Sequence, residues 1–423
     1  MGTVLTLIYA ALTFLSVSGL LPALAPYRLQ LVLGVLAAIG SAPALMLAGR
    51  RVLNLPFWLM VGFTGVVLAS WWPHGWLGGV KRGLFNFLPA GILYFLAAVN
   101  FRSVRRLRAL RLTLAAITLY MLGRGVWEYH AWSGETPYVM LQRLEEGQQE
   151  LRRLRGLGVL GDPNDYAQYL VTLLPLLFVV RPGVNRWIKR LGAGLAALAF
   201  LYGLYLTRSR GGLVGLAGLV GLVLRERYKW LGAAVAAGVV VAALLALGFT
   251  GGREVTLGAG IDRLNLWSEG LGMIKSSPVW GVGFGAYWDH AEKAAHNSFL
   301  HCAAELGMAG YFFWMGLVVV SLWRLGQVIA GGGGEGADPE LRSWARAVRL
   351  GLYGFLLTGI FLSRTYEPLP YLLLGTAGAI ANIEAERRGT PVVPPWKGWV
   401  VWTLGLCVGS ILLIYVLVRL RSL

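Results

Sequence analysis

The sequence predicts an all-α fold, a polytopic transmembrane helical bundle of about 12–13 spans, and three observations carry that expectation. Of 423 residues, 57% are hydrophobic and only 14% charged, against roughly 25% charged residues in a soluble globule. Mean hydropathy is +0.62. The apolar residues run in blocks long enough to cross a bilayer, separated by short basic segments. Such a chain is not a water-soluble enzyme, a disordered polymer or an all-β protein. The net charge of +18, from 38 Lys+Arg against 20 Asp+Glu, would suggest nucleic acid in a soluble protein. Here it is discounted for positive-inside loops, so membrane lipid is the expected partner and nucleic acid is not. Cys302 and Cys407 both lie inside apolar runs and offer neither a disulfide framework nor a metal site.

Spans are expected at 4–25, 29–48, 53–72, 83–99, 112–128, 164–180, 191–207, 212–224, 230–249, 298–323, 349–363, 367–384 and 399–418. The first ends in Ala23-Leu24-Ala25, which looks like a signal-peptidase site, yet Met1-Gly2-Thr3 supplies no basic n-region; it is read as a retained helix. With the N-terminus in the cytoplasm, the inner connections hold a bare majority of the bases, including Arg102, Arg105, Arg106, Arg108, Arg342, Arg346, Arg387 and Arg388, as the positive-inside rule requires. Arg419 and Arg421 would then fall outside, so either the C-terminus is external or one span is re-entrant. Gly331–Gly334, followed by Glu335-Gly336-Ala337-Asp338-Pro339, reads as a flexible inner linker. Residues 1–423 thus form a single membrane domain with two long outer loops, at 129–163 and 250–297.

In the first outer loop, Val139, Met140, Leu141, Leu144, Leu151 and Leu154 alternate with Arg143, Glu145, Glu146, Glu150, Arg152, Arg153 and Arg155. The pattern suggests an amphipathic helix, either covering a cavity mouth or anchoring at the headgroups. The loop ends in Gly161-Asp162-Pro163-Asn164-Asp165, whose Asp-Pro and Asn-Asp steps stop one element and cap the next. Capping accounts for Asn164 or Asp165 but does not need both carboxylates. Span seven runs into Thr207-Arg208-Ser209-Arg210-Gly211-Gly212. Two arginines at that outer junction are not explained by topology. Arg210 and the turn could hold a phosphate, or Arg208 and Arg210 could snorkel to lipid headgroups.

The second outer loop carries Arg253, Glu254, Asp262, Arg263, Trp267, Lys275, Asp289, His290 and His296. Residues 261–274 read as a short surface helix with Arg263, Leu264, Trp267, Leu271 and Ile274 near one stripe, ended by Pro278. Gly281-Val282-Gly283-Phe284-Gly285 lacks the preceding strand and following acid of a dinucleotide loop. It reads instead as a tight turn bringing backbone near a ligand or a helix. His296-Asn297 opens span ten, and Ala303, Ala304, Gly307 and Gly310 allow close packing beneath it. A helix start disfavours extra positive charge, which leaves the imidazole neutral and able to accept a proton; a hydrogen-bonded structural histidine is the alternative. His301 and Glu305 would orient it or pair with neighbours. No HExxH pattern, Cys cluster or Asp-x-Asp pair appears, so no metal and no cofactor is expected.

Taken together, these residues resemble the O-antigen ligase/polymerase superfamily of bacterial membrane glycosyltransferases. The resemblance rests on the turn at 161–165, the Ser209-Arg210-Gly211-Gly212 junction, Arg263-x-x-x-Trp267, the Gly281–Gly285 turn, and His296-Asn297 with nine residues before Gly307-Met308. The last of these points to the ligases. The resemblance implies a C-type glycosyltransferase-like bundle in the bacterial inner membrane, with its site at the periplasmic face. It further implies an undecaprenyl-pyrophosphate-linked glycan as donor and lipid A–core oligosaccharide as acceptor. Carried over by motif, Arg210 and Arg263 would bind pyrophosphate and His296 would act as general base, with Arg208, Asn297 and Asp165 as further substrate-binding candidates. Attack opposite the leaving group would invert the anomeric centre. The rivals are an O-antigen polymerase, a protein O-oligosaccharyltransferase and an anionic-lipid transporter.

Overall fold

The computed structural model describes residues 1–16, 23, 29–49, 52–143, 150–180, 185–246, 257–331, 338–390 and 396–420. The chain is a helical bundle: α1 (Gly2–Leu15), α2 (Leu29–Ala48), α3 (Leu55–Ala69), α4 (Gly78–Asn86), α5 (Leu88–Asn100), α6 (Val104–Ala131), α7 (Pro163–Leu173), α8 (Arg186–Leu206), α9 (Arg210–Ala246), α10 (Leu257–Ser276), the single turn α11 (Tyr287–His290), α12 (Ser298–Ala330), α13 (Pro339–Gly359), α14 (Pro368–Arg388) and α15 (Trp396–Leu420). Among the described residues, six helices are long and apolar enough to cross a membrane, and α4 with α5, bent by 48°, make a seventh if counted as one broken span. The protein is therefore a multi-pass helical membrane protein. The other expected spans also fall on helix, but in shorter or more charged pieces: α1 has 14 residues, α7 has 11, and α13 carries several arginines. The segments expected at 212–224 and 230–249 run together as α9, bent at Lys229 where φ is 52°.

At the centre stands α12, packed against α3, α10, α13, α14 and α15. Small residues let these helices meet closely, since lipid offers no hydrophobic drive to bring them together. A Cβ on Gly375 of α14 would lie 2.3 Å from the Tyr94 carbonyl oxygen of α5, and one on Gly215 of α9 would lie 2.1 Å from a Thr358 methyl of α13. Trp314, Trp344, Tyr94 and Tyr371 fill the interior. The two ends of the bundle differ. At one, Arg108 pairs with Glu340, Arg102 with Glu386, and Arg387 and Arg388 with Glu384. These are bases expected on the inner side. The connections expected on the outer side meet at the opposite end.

The amphipathic helix expected in the 129–163 loop is not what forms there. Helix α6 runs to Ala131, and the chain then builds an antiparallel strand pair, β1 (Val139–Arg143) with β2 (Glu150–Leu154), in the register Val139↔Leu154 to Arg143↔Glu150. The apolar positions that mimic a helical stripe are split between two strands. Val139 and Leu154, paired and both 0% exposed, pack inward, Leu154 lying over Gly125 of α6. The turn with Leu144, Glu145 and Glu146, the outer residues Arg253 and Glu254, and the Gly332–Ala337 part of the linker lie outside the described residues.

Candidate active site

The Gly281–Gly285 turn and the break in α12 are built for each other. Gly281, Gly283 and Gly285 have φ of 70°, 108° and 73°, and Gly307 interrupts α12 at φ 61°, all in the region that favours residues without a Cβ. Across the break, Val282 and Gly283 donate to the carbonyls of Ala304 and Glu305, while Met308 and Ala309 donate to those of Pro278 and Val279. The groups that the interrupted helix leaves unpaired are thereby satisfied. A Cβ on Gly281 would stand 2.3 Å from the Glu305 carbonyl carbon, and one on Gly307 would stand 2.2 Å from the Val279 oxygen. Gly281→Ala should therefore lower the stability of the full chain in detergent by more than about 1 kcal/mol. An unchanged thermal midpoint would mean that the turn has another way to seat.

Fully buried Glu305 accepts from the Tyr287 N–H at 3.0 Å and faces His301 Nε2 at 3.3 Å, so it pairs with neighbours and pins the turn that follows Gly285. From the connection between α3 and α4, Trp71 donates to the Phe284 carbonyl and His74 meets that of Gly281, while Arg82 of α4 reaches Asp289.

This scaffold presents His296, half-buried and with φ of 48°, a strained conformation for a side-chain-bearing residue that is typical of functional positions. On one side, Trp267 of α10 donates its indole N–H to the Ala295 carbonyl. On the other, Asn297 caps α12, its Oδ1 accepting from Phe299 and Leu300, both at 3.0 Å; the Asn297 side-chain oxygen is thus occupied by the helix start. One helical turn before Trp267, Arg263 lies over the Phe361 ring at 5.6 Å. Phe361 also packs on Gly211, next to Arg210 at the start of α9.

Burial and then the charge of Arg210 lower the Arg263 guanidinium, although the residue as a whole stays exposed. The two arginines therefore sit within electrostatic reach of each other, and like charges brought together are stabilised by an anion between them. Burial first, then Arg263, Arg364 and Lys293, hold the His296 imidazole below its ordinary value, with Asp162 opposing. At neutral pH the ring is uncharged and can accept a proton.

The remaining candidates have defined partners. Arg208, at φ 52°, stacks on Tyr205 at 4.5 Å. Asp162, rather than Asn164 or Asp165, caps α7 by accepting from the Asn164 N–H at 2.7 Å. Asn164 instead accepts from Arg153, which also donates to Gln142 and the Thr207 carbonyl and is only 5% exposed. Arg153 so ties the hairpin to both the 161–165 turn and the 207–210 junction. Arg155 donates to the Thr136 carbonyl. Asp165 is buried and pairs with Arg364. Among the described residues, no group of three or more His, Cys, Asp or Glu stands together as a metal would need.

Arg364 is the residue that sequence reading missed. It lies in the outer connection Ser363-Arg364-Thr365-Tyr366-Glu367, a polar break between apolar runs like the one that singled out Arg210, and that signal was available.

Residues 195–315, which include Arg210, Arg263 and His296, match the family model described as O-antigen ligase. That stretch of the chain is thus similar to the O-antigen ligase family. Over 198 residues the chain is 27% identical to the exopolysaccharide production protein ExoQ of Rhizobium meliloti (strain 1021), a stretch covering 40% of this chain and 42% of that protein. The match thus spans less than half the length of this curated relative. Members of the matched family are glycosyltransferase-like enzymes, a chemistry for which the lowered imidazole and neighbouring arginines are a coherent set of groups.

Proposed function

We propose that this enzyme is an O-antigen ligase, moving a glycan from undecaprenyl pyrophosphate to a sugar hydroxyl of lipid A–core oligosaccharide at the periplasmic face of the inner membrane. The observation that carries the reading is the juxtaposition of an imidazole held neutral with Arg263, whose guanidinium is lowered by burial and by the nearby charge of Arg210. His296 takes the proton of the acceptor hydroxyl as its oxygen attacks the anomeric carbon. The bond from that carbon to the pyrophosphate oxygen breaks, its electron pair leaves with the pyrophosphate, and Arg210 and Arg263 meet the developing charge with forked N–H donors. Attack from the face opposite the leaving group inverts the anomeric centre.

The test is transfer by the purified full-length protein supplied with undecaprenyl-pyrophosphate glycan and lipid A–core, separately and together, with EDTA present. Product on lipid A–core that persists in EDTA supports a ligase working without a metal. A second reading, polymerisation of lipid-linked glycan, gains support from the relative named as an exopolysaccharide production protein; it predicts longer undecaprenyl-linked chains and no lipid A–core product.

The protonation state of His296 gives a further check. The active form is the neutral one and its folded value is lowered, so protonation, and with it loss of rate, waits for a lower pH than an ordinary imidazole requires. The acidic limb of kcat/KM is expected below about 6.5; a limb at or above that value would remove His296 as the titrating base.

A further inference from the structure

The connection between α13 and α14 lies outside the matched region 195–315, yet it reaches Arg263, Asp165 and residues next to Arg210 and near His296. Phe361 underlies Arg263 and packs on Gly211. Arg364 donates its backbone N–H to Ser298 Oγ at 2.9 Å, and Thr365 Oγ1 donates to the Ser298 carbonyl at 2.7 Å, two residues from His296. The Arg364 side chain is gripped from behind: Nε donates to Asp165, and Nη1 to Glu367 at 3.2 Å. The cavity lined by Asp165, Gln168, Arg364 and Glu367 measures about 20 Å³, room for about one water and none for a sugar or phosphate. Arg364 Nη2 has no hydrogen-bond partner among the described residues, and the side chain keeps 32% exposure. Its charge is felt at His296.

We propose that Arg364 is a third donor-binding cation: Asp165 and Glu367 hold two of its nitrogens, and the remaining Nη2 hydrogen-bonds the diphosphate of the lipid-linked donor. The proposal rests on the donor reading given above. Held by Asp165 and Glu367, Arg364 contributes an oriented donor. Buttressing of this kind fixes a long side chain before the ligand arrives and reduces the entropy lost on binding. A free arginine of equal charge would contribute less.

The experiment measures affinity of the full-length protein in lipid nanodiscs for undecaprenyl pyrophosphate, alongside transfer kinetics and thermal midpoint, for the wild type, Arg364→Gln and Arg364→Lys. Both variants are expected to bind undecaprenyl pyrophosphate at least about tenfold more weakly, as loss of one charged hydrogen bond implies, and to raise KM for the donor more than they lower kcat. If Arg364→Gln does not fold, Arg364→Lys decides, because lysine has a single amine and cannot serve both carboxylates and a ligand through separate edges. Wild-type affinity in a folded variant, with or without loss of kcat, overturns the proposal and leaves Arg364 as a clasp on the loop. A wild-type protein that binds no undecaprenyl pyrophosphate overturns the donor reading itself.

Discussion

Replacing His296 with Ala is expected to abolish glycan transfer while binding of undecaprenyl pyrophosphate survives. A positioned general base contributes roughly 10²–10⁴-fold, the acceptor hydroxyl's own acidity is negligible at neutral pH, and among the described residues the charges that act most on His296 are three cations, Arg263, Arg364 and Lys293, with Asp162 opposing. Asp162 already uses a carboxylate oxygen to cap α7. Stability should change little, since among the described residues no hydrogen bond from the His296 ring holds the loop; Trp267 and Asn297 do that on either side. Loss of the ring also leaves the arginines in place. The readout is a split: turnover falls by at least about a hundredfold, with donor affinity within about threefold of the wild type. Retained turnover would assign the proton transfer elsewhere.

Much of this architecture was open to reading from local pattern alone. Hydropathy located helices such as α3, α6, α8, α12 and α15, because burial in lipid is decided segment by segment. The three glycines at 281–285 and the small residues near Gly307 announced a close backbone approach, and the structure supplies the partner: each is the other's. What local pattern could not give is which connections meet. Asp165 and Arg364 are 199 residues apart, and Arg153 reaches Thr207 across 54 residues; nothing in either neighbourhood specifies the other. The hairpin at 139–154 escaped for a different reason. Its charged residues alternate with apolar ones at spacings compatible with both periods, and the deciding event is burial of Arg153 among acceptors from three segments, which a lipid-surface helix would leave in the headgroups. Asp165 illustrates the same limit: its carboxylate invited a capping or substrate role, whereas its neighbour Asp162 does the capping and its own partner is an arginine.

Arg263→Ala and Arg210→Ala should each weaken binding of undecaprenyl pyrophosphate by about ten- to a hundredfold, the range expected for one charge-assisted phosphate contact, and the loss should shrink as salt rises and screens the exposed guanidinium. Arg263 is on the outer surface of α10 with its charge over Phe361, so its removal leaves no buried partner stranded and the fold should tolerate it. A second consequence separates a donor-binding arginine from a merely structural one. Arg263 is the foremost charge depressing His296 after burial; without it the imidazolium is less disfavoured, the folded value rises, and the acidic limb of the rate profile moves to higher pH. Arg210 acts on Arg263, whereas Arg263 itself heads the charges that lower His296, so Arg210→Ala should cost donor affinity with a smaller movement of that limb. A shared loss of affinity with unequal displacement of the pH profile is the signature of two cations on one anion, only one of them beside the base. Unchanged affinity in both variants would remove the pair from the donor site, and an equal displacement of the limb would mean that both changes act through the fold.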